Sequence, residues 1–138
     1  MEKIVEFVED ESGKSAKSSL EAYFYKFAFT GSRYEEFFSA TTPNEFKAND
    51  FVAVSMLSVD VPPRAAARFL QDDSKSLSNL LGKIRRHEIS IIDNDADLSK
   101  DSDAYLLWKA IHNNYGIGET IASKLLATKR PNLFPIFD

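Results

Sequence analysis

The amino-acid sequence predicts an all-α domain of six to seven short helices. Three observations carry that reading. Apolar residues recur at helical spacing through most of the chain. Prolines and glycines cut the periodic stretches into short pieces. Only Glu88 to Ile92 reads as a strand, and it is too short to build a sheet. At 138 residues the chain is long enough for one domain. Folding at that length buries roughly 68% of the surface an unfolded chain exposes, so no covalent staple is needed.

The elements follow in order. Residues 1–19 are polar, with Glu2, Glu6, Glu9, Asp10 and Glu11 before a Ser- and Lys-rich run, and read as an arm ahead of one helical domain over 20–138. Leu20, Tyr23, Phe24, Phe27 and Ala28 share a helical face that Gly31 ends. Tyr34, Phe37 and Phe38 predict a short helix before the Pro43 turn. Asn49 or Asp50 is placed to cap a helix carrying Phe51, Val52, Val54, Met56 and Leu57, apolar nearly all round and so expected to be central. Pro62-Pro63 closes that segment and opens the next helix, with Ala65, Ala66, Phe69 and Leu70 inward. Ser74 or Ser76 is expected to cap a helix with Leu77, Leu80, Leu81 and Ile84 buried, closing at Lys83-Ile84-Arg85-Arg86-His87. Cations suit the negative end of a helix, and they equally suit an anionic ligand.

Composition narrows the chemistry. Apolar residues make up 43% of the chain and charged ones 28%, as in ordinary soluble proteins. With no cysteine, a disulfide framework, a thiolate metal site and a cysteine nucleophile are excluded. His87 and His112 alone offer little to a metal, and no cofactor is expected. No apolar run reaches membrane-spanning length and the start lacks a signal peptide's pattern, so a cytoplasmic protein with no membrane partner is expected. The net charge of −4 argues against a whole basic face for nucleic acid. Charge is uneven, however. Residues 64–86 carry six cations against Asp72 and Asp73, while residues 93–103 carry five Asp and one Lys. In that second stretch Asp93, Asp95 and Asp97 mimic the start of a calcium loop. Leu98 and Ala104 stand where such a loop needs Gly and Glu, and the stretch reads as solvated.

The most informative stretch is 102–129. Ala104, Leu107, Trp108 and Ile111 line one face of a helix that Asp101 or Ser102 would cap; Tyr115-Gly116-Ile117-Gly118 then leads into a second helix from Glu119 to Ala127. Glycines around one aliphatic residue permit positive φ and a close backbone approach, with Ile117 plugging the junction. The amides at Gly118 and Glu119 would face outward at the positive end of the second helix, where one phosphate fits.

Gly116-Ile117-Gly118 with Ala122 resembles the helix-hairpin-helix motif of the DNA glycosylase superfamily. In that superfamily an essential Asp lies 22 or 23 residues after the first glycine, behind an apolar Pro-containing segment. Leu133-Phe134-Pro135-Ile136-Phe137-Asp138 puts Asp138 at 22 residues from Gly116. The resemblance implies a glycosylase-like fold around this hairpin and binding of a double-stranded DNA backbone. Gly116, Ile117, Gly118, Glu119, Thr120 and Lys124 would serve that binding, with Arg85 and Arg86 beside them. It also implies a catalytic role for Asp138, toward the sugar or an attacking water. The Schiff-base lysine of the bifunctional enzymes is replaced by Thr120, so an amine-based lyase step is not expected. The runs Lys124 to Pro131 and Leu57 to Arg64 are similar to an uncharacterised, mostly actinobacterial family, over about residues 28–138. Backbone binding without catalysis is the leading expectation. Base excision by Asp138, a purely structural hairpin, and a protein-docking surface of Tyr23, Phe27, Tyr34 and Phe38 are the alternatives.

Overall fold

The computed structural model describes residue 18 and residues 30–38, 41–84 and 99–138. Every regular element among them is helical, with no strand. A 3₁₀ turn at Thr30–Arg33 runs into α1 (Tyr34–Phe37), followed by α2 (Ala48–Met56). Next comes α3 (Pro63–Ala67), which continues as a π turn over Arg68–Asp72. α4 (Ser74–Lys83), α5 (Asp103–His112) and α6 (Glu119–Ala127) complete the order. The arm apart from residue 18, the helical stripe from Leu20 to Ala28, the strand-like Glu88–Ile92, the cluster Arg85-Arg86-His87 and most of the acidic loop lie outside the described residues.

Local sequence explains each start and stop. Pro63 is the first residue of α3, where its missing N–H costs nothing. Ser102 caps α5 by accepting a hydrogen bond from the Tyr105 amide at 3.1 Å. Two expected caps fall elsewhere. α2 starts at Ala48, so Asp50 sits in its first turn and its carboxylate accepts from the Lys47 amide at 2.7 Å. α4 follows directly on the π turn, with Asp73 as its flanking residue and no side-chain cap from Ser74 or Ser76. The π turn is closed by the Asp73 amide donating to the Arg68 carbonyl five residues back, at 2.8 Å.

α6 packs on α2 and α5, α5 on α4, and α1 on α2. Leu107, Ile111, Leu125 and Leu126 are completely buried between them, each contributing about 1.5–3 kcal/mol of hydrophobic stabilisation. α2 is less central than its composition predicts. Ala53 and Val54 are buried, but Val52 is 42% exposed, because α1 and α6 cover only part of its surface. The most enclosed helix is α6, every residue of which from Ala122 onward is buried, through to Arg130 beyond its end.

That burial includes three cations, and each is answered. The Lys129 ammonium lies 2.7 Å from the Asp50 carboxylate, both side chains fully buried, and donates to the Thr42 carbonyl at 3.0 Å. Arg130 makes five hydrogen bonds at 2.6–3.0 Å, to the carbonyls of Ile84, Leu81, Pro43 and Lys129 and to Asn44 Oδ1. Two of those carbonyls, Leu81 and Ile84, lie at the end of α4, where Leu81 O also accepts from the Ile84 amide at 3.1 Å, so Arg130 acts as that helix's terminal cap. Lys124 caps α2 in the same way, donating to Leu57 O at 3.1 Å. No buried side-chain nitrogen or oxygen among the described residues lacks a partner.

Candidate functional site

The six-residue connection from Asn113 to Gly118 joins α5 to α6. Its shape is set locally. The Asn114 amide group donates to the carbonyls of Ala110 and Ile111 at 2.7 and 3.0 Å, satisfying the end of α5. The Ile117 amide then donates to Asn114 O at 3.1 Å, and the Ile117 side chain is buried in the core as the hairpin pattern predicts.

The two glycines have different reasons to be there. Gly116 has φ +80°, and a Cβ there would stand 2.9 Å from Pro62 Cγ. The backbone conformation and the contact with the start of α3 both demand glycine. Gly118 is extended, at φ −93° and ψ −178°, and a Cβ there would meet nothing within 4 Å. The fold does not require glycine at 118. Gly118 flanks α6, whose first turn has no side-chain cap, so the leading amides remain open for an external acceptor. Glu119 and Thr120 follow on the first turn, Glu119 exposed and Thr120 half-buried.

Contact between Gly116 and Pro62 brings α3 against the turn. Arg64, Arg68, Ala65, Asn114 and Tyr115 line one cleft of about 260 Å³ there. Arg64 is exposed and has no ion-pair partner among the described residues; Arg68 is ion-paired with Asp73 at 3.0 Å. The cleft therefore carries net positive charge in a protein of net charge −4. Tyr115 at its rim is 92% exposed.

The remaining expected site residues divide. Lys124 points inward: its side chain is 6% exposed and its ammonium lies 2.6 Å from the Asp138 carboxylate. A phosphate at the α6 start cannot use it, because the ammonium is already committed to Leu57 and Asp138. Lys124 and Asp138 instead share a second cleft of about 440 Å³ with Thr30, Leu57 and Ser58. Ser58 there has φ +62°, a conformation costly for a non-glycine residue. The Phe137 amide donates to Ser123 Oγ at 3.0 Å, which lays the C-terminal segment along α6. Arg85 and Arg86 lie outside the described residues.

Tyr34 does not join an exposed aromatic patch. It is buried, its hydroxyl donating to Lys124 O at 3.2 Å, and burial, followed by the nearby Asp50 and Glu35 carboxylates, raises its phenol above the usual tyrosine range. No three acidic or histidine side chains gather at metal-binding distance among the described residues. None of the described helices is long and apolar enough to cross a membrane.

These features define a helical protein with a glycine turn set against a small basic cleft. The chain belongs to the family of unknown function DUF6308, which matches residues 16–138. That fits the similarity to an uncharacterised family seen in the runs around Leu57 and Lys124, and it carries no assignment to the glycosylases. No curated protein and no solved structure matches the chain.

Proposed function

We propose that the protein binds the sugar–phosphate backbone of nucleic acid through the 113–118 turn and the cleft beside it. One observation carries the reading: the uncapped start of α6, left open on the Gly118 side, lies on the same turn as Asn114 and Tyr115, which line the cleft with Arg64 and Arg68. Backbone amides at a helix start donate to one phosphate, and a guanidinium nearby adds charge-assisted hydrogen bonds to it. The likeness of Gly116-Ile117-Gly118 to the hairpin of DNA glycosylases supports the same reading, and duplex DNA is the ligand that likeness implies.

Gly118→Asp separates binding from folding. The extended φ and ψ suit an N-cap, so aspartate should leave stability unchanged or raise it by a few tenths of a kcal/mol. The same carboxylate occupies the amides and repels phosphate. Anisotropy titration of a labelled duplex should show affinity reduced about ten-fold or more, as expected for losing one or two charged contacts. Undiminished affinity in a well-folded Gly118→Asp protein would leave the turn as scaffold.

A second reading, base excision by Asp138, has its own observation in favour: the Asp138–Lys124 pair in a cleft that also contains the strained Ser58. Asp138→Asn should then abolish base release and spare binding. Borohydride should trap no covalent adduct, since Thr120 stands at the Schiff-base position and the Lys124 ammonium is ion-paired. No release of any damaged or mismatched base by the parent protein removes this reading.

A further inference from the structure

We propose that Tyr115 is a stacking platform for an unpaired base, so that the preferred ligand is a single-stranded nucleotide segment and not an intact duplex. This rests on the backbone-binding reading above and names its substrate class.

Tyr115 is the most exposed large hydrophobic side chain among the described residues, at 92%. The other described tyrosines are partly or wholly covered: Tyr34 is buried and Tyr105 half-buried. Its backbone is nevertheless held firmly. Asn114 ties the turn to two α5 carbonyls, Gly116 abuts Pro62, and Ile117 is anchored in the core. A fixed backbone presenting a ring with only two side-chain torsions loses little entropy when the ring is covered. The ring shares its cleft with Arg64, which supplies the phosphate contact that a stacked nucleotide also needs, and with Arg68, which is ion-paired to Asp73.

A projecting ring beside a phosphate site gains nothing from a closed duplex, whose bases already stack on one another. An unpaired base has a free π-face, and aromatic stacking tolerates any sequence. Arginines flanking an exposed tyrosine therefore match a strand that offers phosphate and base face together.

The test compares a labelled oligomer of roughly 12 nucleotides, as oligo-dT, oligo-rU and a DNA duplex of equal length, against four proteins at one fixed salt concentration. These are the parent, Tyr115→Ala, Tyr115→Phe and Arg64→Glu, each first checked for helical content and melting temperature. The parent should bind single strands more tightly than duplex. Tyr115→Ala should lose about ten-fold or more for single strands, Tyr115→Phe should keep nearly all of it, and duplex binding should move little in either. The oligo-dT and oligo-rU arms show which sugar is accepted. Single-strand affinity equal in Tyr115→Ala and parent, while Arg64→Glu still weakens it, overturns the stacking role alone. Nucleic-acid binding absent from the parent, or untouched by Arg64→Glu, overturns the backbone reading with it.

Discussion

Buried charge at single residues decides how the C-terminal half is held. Asp50 and Lys129 are both sealed from water, 2.7 Å apart, and each has further hydrogen bonds to the backbone. Such a pair repays its desolvation only while complete. Asp50→Ala should leave the Lys129 ammonium without its carboxylate and cost about 3–5 kcal/mol in urea unfolding. Adding Lys129→Met to Asp50→Ala removes the stranded charge, and the double variant should recover much of that loss. Equal instability in single and double variants would mean that the ion pair itself, and not the unpaired charge, carries the energy. The same residues expose a limit of one-dimensional reading. Lys124, Lys129 and Arg130 sit among apolar neighbours as the outward face of a helix would. Their burial depends on Leu57, Asp50, Thr42 and Ile84, all far away in sequence. Nothing local announces those partners.

Elements whose cause is local were legible. Pro63 opens α3, Ser102 caps α5, and the glycine turn separates α5 from α6 where the pattern puts it. The π turn was not legible, because a five-residue hydrogen bond from Asp73 to Arg68 leaves the apolar spacing of Ala65 and Phe69 almost unchanged. The basic cleft was visible only as an excess of charge over residues 64–86. Its assembly needed the contact between Pro62 and Gly116, which sets the start of α3 against the α5–α6 turn over fifty residues away in sequence. That contact makes an asymmetric prediction for the two turn glycines. Gly116→Ala meets both a left-handed backbone and Pro62 Cγ, and should cost about 2 kcal/mol or more. Gly118→Ala, extended and facing open space, should cost less than about 1 kcal/mol. Equal costs by urea unfolding would mean that the turn relaxes away from Pro62.

For the molecule as a whole, a net charge of −4 opposes any polyanion, so the proposed binding would have to come from a local patch working against the protein's average field. The two contributions separate by salt. Contacts that displace counterions set the slope of log affinity against log salt, at a little under one unit per duplex phosphate contacted, whereas the distant field mainly offsets the curve. Arg64 lines the cleft, while Lys75 is exposed on α4 and is not among the residues that line it. Arg64→Glu and Lys75→Glu each take the net charge from −4 to −6. Arg64→Glu should flatten the salt slope by about one unit and weaken binding at every salt concentration measured. Lys75→Glu should leave the slope nearly unchanged and lower affinity only slightly, by about the same small factor at every salt concentration measured. A slope that falls equally in both variants would mean that the protein meets nucleic acid through diffuse charge and not through the turn. Because the patch is small, the parent slope itself should be shallow, near two or three units for as many contacts, far from that of a protein gripping DNA along a whole basic face.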